Sequence, residues 1–247
     1  MSNLKDIQYG KHSRQCYDLL FPKKANNNPH LFVLIHGGGW VAGHKRTMNS
    51  LAHFLNDQGH YVSNIHYRLL HQVESIDEQM EDIVSALQHV KQIEREDFKF
   101  NKTIGIGESA GAHLTFLTYK KVKWDAIVSL SGPLNYVQVE KKSFPFNAQK
   151  WFLPYLLKNK GKNESNWEKI SPLYQDIHCP VLMFQGKKDN LVDYKDAITF
   201  IDKLKKAQIP SKLILKEEWG HLYRLIDKKS QRFVYRTIIK WVDEELS

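Results

Sequence analysis

Gly107-Glu108-Ser109-Ala110-Gly111 is the stretch from which the rest of this chain is read. The apolar run Thr103-Ile104-Gly105-Ile106 precedes it, and the helix-like run Ala112-His113-Leu114-Thr115-Phe116-Leu117-Thr118 follows. A strand, a tight turn and a helix are the setting that a G-x-S-x-G serine requires. The serine then sits on a strained corner with its hydroxyl pushed clear of the sheet edge. A side chain at either flanking glycine would crowd that corner. The helix that begins there aims its first amides at negative charge developing beside the serine. Five-residue patterns of small residues also arise by chance, and a serine before a helix is often only an N-cap. The motif therefore needs support from the rest of the chain.

Working outward, the segments on both sides alternate between strand and helix patterns. Residues 6–21 read as a hairpin around Gly10-Lys11-His12, and Pro22 to Pro29 as a surface loop. Leu31-Phe32-Val33-Leu34-Ile35 is continuously apolar, the mark of a strand buried on both faces. A helix is predicted over 47–58, a strand over Tyr61–Tyr67, and a long amphipathic helix over 76–95 with Ile76, Met80, Ile83, Val84, Leu87, Val90 and Ile93 on one stripe. After the elbow helix come a strand at Ala126–Leu130, a strand at Val181–Gln185, a helix over 193–207, a last strand at Leu213–Leu215 and a closing helix over 228–246. Such alternation predicts an α/β fold, a mostly parallel central sheet with helices on both faces. Residues 134–172 break the rhythm, with three of the eight prolines and no long strand. They read as a small cap-like insertion over the strand ends. No internal repeat or linker divides residues 1–247, so a single domain is expected.

Bulk properties narrow the function classes. At 42% hydrophobic and 26% charged residues, disorder is not the default. Cys16 and Cys179 lie far apart and match no metal or redox spacing, so both read as reduced thiols. The N-terminal residues lack an apolar stretch and no run approaches the roughly 18 residues of a membrane span, so a cytoplasmic protein without stable membrane insertion is expected. The formal charge of +9 comes from lysines scattered along the chain, densest at 120–123 and 158–162. Scattered charge reads as a solvated basic surface and not as a nucleic-acid face. A mild preference for anionic substrates or surfaces is the sharper alternative. No His, Cys and Asp cluster has metal-ligand spacing, so neither metal nor cofactor is expected.

Four predicted strand ends carry residues suited to chemistry. His36-Gly37-Gly38-Gly39 follows the Ile35 strand, Ser109 follows Ile106, Gly186-Lys187-Lys188-Asp189 follows Phe184, and Trp219-Gly220-His221 follows Leu215. Active sites in parallel sheets collect at these ends. A neutral serine hydroxyl needs a base within hydrogen-bond reach. His221 is the candidate base, and Asp189 is the candidate to orient it and stabilise the imidazolium. The amides of Gly38, Gly39 and Ala110 are candidates for an oxyanion hole. His36 reads as structural and His113 as a packing or capping residue, while His44, His66 and His71 lack a glycine partner at a strand end. Asp193 and Asp196 compete with Asp189 but sit at a helix start, where a carboxylate is ordinary. Glu108 reads as a supporting or solvated carboxylate. Trp40 and Tyr223 flank the candidate loops and are candidates for the substrate pocket.

The motifs His36-Gly37-Gly38-Gly39-Trp40 and Gly107-Glu108-Ser109-Ala110-Gly111 together resemble those of the HGGG-type esterase/lipase branch of the α/β-hydrolase superfamily. Tyr67-Arg68-Leu69 and Gly186-x-x-Asp189-x-x-Val192 are similar to that branch as well. The likeness covers roughly residues 30–245. The order Ser, Asp, His is the one such a fold implies. Leu70-His71 replaces the usual Ala-Pro-Glu, Ala112 stands where many members carry a second glycine, and the chain is short for the hormone-sensitive-lipase type. It therefore looks more like the compact feruloyl/acetyl-xylan-esterase-like and kynurenine-formamidase-like proteins. The resemblance implies an α/β-hydrolase fold and a serine carboxylesterase whose partner is a small-molecule ester. An insertion of under forty residues is too small to roof a long acyl tunnel, so a short acyl chain is expected. An arylformamidase using the same residues is the alternative. A hydrolase-fold protein that binds a small ligand without turnover is the reading from a different class.

Overall fold

The computed structural model describes residues 3–96, 98–137 and 164–246. Most of the expected cap-like insertion, residues 138–163, lies outside them.

The described strands form one eight-stranded sheet: β1 (Leu4–Gln8), β2 (Cys16–Leu20), β3 (Leu31–Ile35), β4 (Tyr61–His66), β5 (Thr103–Glu108), β6 (Ala126–Leu130), β7 (Val181–Gly186) and β8 (Ser211–Lys216). Their order is β1-β2-β4-β3-β5-β6-β7-β8. The first two pairings, β1 with β2 and β2 with β4, are antiparallel, and every later pairing is parallel. Chain order and sheet order cross at β3 and β4. Strand β5 lies beside β3, so the elbow serine emerges next to the glycine loop.

Period-two alternation divides each central strand between two cores. On β3, Leu31, Val33 and Ile35 join one apolar cluster, while Phe32 and Leu34 join the other. The first cluster is closed by α2 (Ile76–Lys91), α3 (Ala110–Leu117) and α6 (Tyr194–Lys206), through residues such as Ile83, Leu114 and Phe200. Between the last two helices run the short α4 (Tyr119–Val122) and α5 (Glu164–Lys169). The second cluster is closed by α1 (Asn49–Asp57) and by α8 (Lys228–Glu245), which follows the one-turn α7 (Tyr223–Ile226). Leu51, Leu55, Ile238 and Trp241 supply its apolar side chains. The helices thus lie on both faces, as the alternating pattern predicts.

Several bounds differ from the sequence reading: the helix expected over 47–58 is a 3-10 turn at Lys45–Met48 followed by α1, and β8 runs from Ser211 to Lys216. The long helix stops at Lys91 and not at residue 95, because the amide of Gln92 is shared among the carbonyls of Gln88, His89 and Val90. Ile93 still packs against the core from beyond the helix, so the apolar stripe outruns the backbone geometry. Helix α7 after His221 was not anticipated, since four residues carry too little periodicity to read. Both cysteines are free and buried. Among the described residues, no helix is long and apolar enough to cross a membrane.

Candidate active site

Strand β5 delivers Ser109 at a corner that only close packing sustains. Ser109 has φ +51° and ψ −118°, outside the helix that starts at Ala110. Its amide donates to the Leu130 carbonyl at 2.8 Å, and its own carbonyl accepts from His113 N at 3.1 Å. A Cβ at Gly107 would run into the backbone of Ala112, and one at Gly111 into the carbonyl of Ile35. Glycine at both positions is therefore demanded by the approach of the elbow to its own helix and to β3.

The structure brings Ser109, His221 and Asp189 into one hydrogen-bonded chain. Ser109 Oγ donates to His221 Nε2 at 2.9 Å, and His221 Nδ1 donates to Asp189 Oδ2 at 2.8 Å, an assignment that leaves the imidazole neutral. The Asp189 carboxylate is fully buried, and the His221 ring is 9% exposed. Three further donors fix the carboxylate. Leu191 N and Val192 N each reach Oδ1 at 2.9 Å, and Gln185 Nε2 reaches Oδ2 at 2.9 Å. With this many donors the carboxylate is held in place and cannot swing away from the ring. Asp193 instead caps α6 by accepting from Lys195 N, and Asp196 lies in its first turn.

The glycine loop faces the serine across a cavity of about 430 Å³. Gly38 has φ +126°, and a Cβ there would collide with the Ala42 carbonyl. Gly39 has φ +58°. The amides of Gly38 and Gly39 donate to no described residue. The amide of Ala110, first in its helix, has no intrahelical acceptor. Among the described residues, these three amides of the glycine loop and the elbow have no acceptor.

The loop is held from behind. Tyr67 Oη donates to His36 O at 2.8 Å, and Gln79 Nε2 donates to Trp40 O and Arg68 O. Arg68 grips the buried carboxylate of Asp82. His36 donates from Nδ1 to Gly37 O at 2.7 Å and accepts at Nε2 from His66 Nδ1 at 3.2 Å. Burial lowers the pKa of His36 to about 3. Burial and the Arg14 charge lower that of His66 to about 2. His113 is also buried and neutral, its pKa lowered to about 4. It accepts from Trp40 Nε1 at 3.2 Å and donates to Ile170 O at 2.6 Å.

Val41, Pro133, Leu191, Val192, Leu222 and Leu225 give the cavity an apolar wall, and Thr47 and Glu108 add polar groups. Trp40 reaches the wall, although its ring is buried on His113 and Tyr136. Tyr223, expected at the pocket, does not line it. Its ring stacks on Trp219 at 4.0 Å within the core, where apolar packing gains more than exposure. Trp167, within the expected insertion, is buried in the core. Glu108 is not solvated: Arg224 Nε and Nη2 reach its two carboxylate oxygens at 2.7 and 2.6 Å. Nothing in the spacing of 108 and 224 announced that pair, because it depends on how α7 turns. Among the described residues, no group of three His, Cys, Asp or Glu is arranged to hold a metal ion.

Comparison with known proteins adds a family and a fold. The profile of the BD-FAE family matches residues 17–204. A probable isoprenylcysteine alpha-carbonyl methylesterase, ICMEL2, of Arabidopsis thaliana is 22% identical over 237 residues, 85% of this chain and 55% of its own length. The kynurenine formamidase of Drosophila melanogaster is 27% identical over 207 residues, 79% of this chain and 64% of its own. The chain therefore spans little more than half the length of the curated relatives it matches. A truncated carbohydrate esterase from gut microbiota superposes with a TM-score of 0.82 at 18% identity, over 97% of this chain and 96% of the other. At that identity the likeness establishes the fold.

Proposed function

The chain belongs to the BD-FAE family and is an α/β-hydrolase of the esterase/lipase kind, and from that premise we propose that it is a serine carboxylesterase acting on small, short-acyl esters. The observation that carries the reading is the hydrogen-bonded chain from Asp189 through His221 to Ser109. In this reading Ser109 Oγ attacks the ester carbonyl carbon while its proton passes to His221 Nε2. The carbonyl oxygen takes up negative charge against the amides of Gly38, Gly39 and Ala110. Asp189 holds the imidazolium. Collapse of the tetrahedral intermediate breaks the bond to the alcohol, which leaves with the His221 proton. Water then attacks the acyl-enzyme by the same route, giving its proton to His221. The carboxylic acid departs and the serine is restored.

The apolar lining of the cavity supports an acyl ligand, and an insertion of under forty residues, too small to roof a long acyl tunnel, supports a short one. Each buried methylene favours binding by roughly 0.8 kcal/mol only while space lasts. A series of p-nitrophenyl esters tests this. kcat/KM is expected to peak between acetyl and butyryl. A higher value for dodecanoyl or palmitoyl esters would contradict the reading and point to a lipase. The formamidase relative supports a second reading, amide hydrolysis of an N-formyl arylamine by the same residues. N-formylkynurenine in the same assay decides between them: faster turnover of it than of every ester would replace the first reading.

A further inference from the structure

Arg224 is a buried cation three residues beyond His221, with its side chain 1% exposed. Its guanidinium closes a two-pronged pair with Glu108, the residue immediately before Ser109, whose side chain is 13% exposed. Three other groups hold the guanidinium: Nη1 donates to Tyr235 Oη at 3.1 Å, and Nη2 reaches Thr47 O at 3.4 Å and Met48 Sδ at 3.6 Å. Burial alone would lower the Arg224 pKa, but the charge and hydrogen bonds of Glu108 outweigh it, and the pKa is raised. Arg224 is therefore a cation. A buried ion pair adds little net stability over an apolar substitute of the same size, so stability is a poor reason for its presence.

The place of the pair in the loop suggests another reason. The segment that carries His221 is tied down at two points. On the N-terminal side, Trp219 O accepts from Lys188 N at 3.0 Å, one residue before Asp189. Gly186 leaves room for the Trp219 backbone, where a Cβ would collide. On the C-terminal side the tie is Arg224 to Glu108. One anchor joins the histidine segment to the acid's turn, and the other joins it to the nucleophile's own strand. The same bond steadies the strained backbone of Ser109 from its N-terminal neighbour.

We propose that Glu108 and Arg224 are positioning residues, a clamp that sets the distance between His221 and Ser109 for the transfer of the serine proton. A planar guanidinium fork on a carboxylate fixes orientation as well as distance, and a lysine ammonium does not reproduce it. The inference rests on the serine-hydrolase reading above.

The test is the rate at which a fluorophosphonate modifies Ser109, measured beside ester kinetics. Variants are Arg224→Lys, Glu108→Asp and the uncharged double variant Glu108→Gln/Arg224→Met. Small misplacements of catalytic groups cost up to about 100-fold. In the double variant both kcat and the labelling rate are expected to fall by about 10- to 100-fold, with KM within about twofold and the melting temperature retained. Arg224→Lys, which keeps the charge and loses the fork, is expected to fall in the same direction, as is Glu108→Asp. These two single variants carry the test if the double variant fails to fold. Wild-type labelling rates and kcat in the folded variants would overturn the clamp and leave the serine reading intact. A wild-type protein that is never labelled would overturn the serine reading itself.

Discussion

Histidines stand on both sides of the glycine loop, and their surroundings differ. Behind it, His36 lies against Tyr67 with ring centroids 4.3 Å apart and bonds a backbone carbonyl and His66, while the Arg14 guanidinium approaches His66. In front of it, His221 lies between the Asp189 carboxylate and the Ser109 hydroxyl. Burial behind the loop penalises a proton and the neighbouring cation adds to the penalty at His66, so both rings stay neutral and serve as shaped hydrogen-bonding plates. In front, a carboxylate is in place to stabilise the proton that a base must accept. Residue type is shared between the two sites; an acidic partner and a reacting hydroxyl are what separate base from scaffold.

Substitutions sharpen this contrast, beginning with the largest effect. His221→Ala is expected to lower kcat by on the order of 10⁶-fold. Asp189→Asn, which keeps shape but loses the charge and favours the wrong tautomer, is expected to cost on the order of 10⁴-fold. Steady-state kinetics check both. His66→Asn is expected to lower stability by about 1–3 kcal/mol while leaving kcat/KM within about tenfold. A loss at residue 66 as deep as that at 221 would break the contrast.

Gly38→Ala probes the loop between the two sites. The new Cβ meets the Ala42 carbonyl, and the φ of +126° suits glycine. The amides must shift, and the expected cost is about 10²- to 10³-fold in kcat. An unchanged kcat would remove the Gly38 loop from the oxyanion reading.

Acid stability gives the most distributed effect. In the unfolded chain a histidine takes a proton as pH falls through about 6.5. In the folded protein His36 resists until about 3, His66 until about 2, and His60 and His113, held neutral by burial, until about 4. The unfolded state therefore binds more protons in this window. Their contribution is fully present above about pH 6.5 and is lost as pH falls toward the folded values, by about 1.4 kcal/mol per pH unit for each histidine. Urea melts between pH 7 and 4.5 are expected to show this decline. It precedes the range below 3.8 in which Asp6 and Asp227, both lowered by hydrogen bonds, take up protons. Stability that stays flat down to pH 4.5 would mean the buried rings titrate normally.

The sequence made the catalytic-type residues legible because each is local to a strand end. Ser109, Asp189 and His221 follow apolar runs and stand beside glycines that the turns require. The sheet was legible for the same reason, since β3 is an unbroken apolar run and β6 and β7 are apolar over most of their length. Side-chain partners across long separations were not legible. The pairing of Glu108 with Arg224 spans 116 residues and depends on one turn of helix. Tyr223 looked like a pocket residue by its nearness to His221, yet the same turn points it at Trp219. Gln185, the third donor class on Asp189, sits inside an apolar strand, where nothing in the pattern distinguishes a buried amide from a packing residue.

The central claim is that Ser109 is the nucleophile that His221 activates. A fluorophosphonate probe followed by peptide mass spectrometry tests it most directly. The account predicts one covalent adduct, on the peptide bearing Ser109, absent in a folded Ser109→Ala variant and formed far more slowly in His221→Ala. An adduct that persists in Ser109→Ala, or labelling at an unchanged rate without His221, would contradict it.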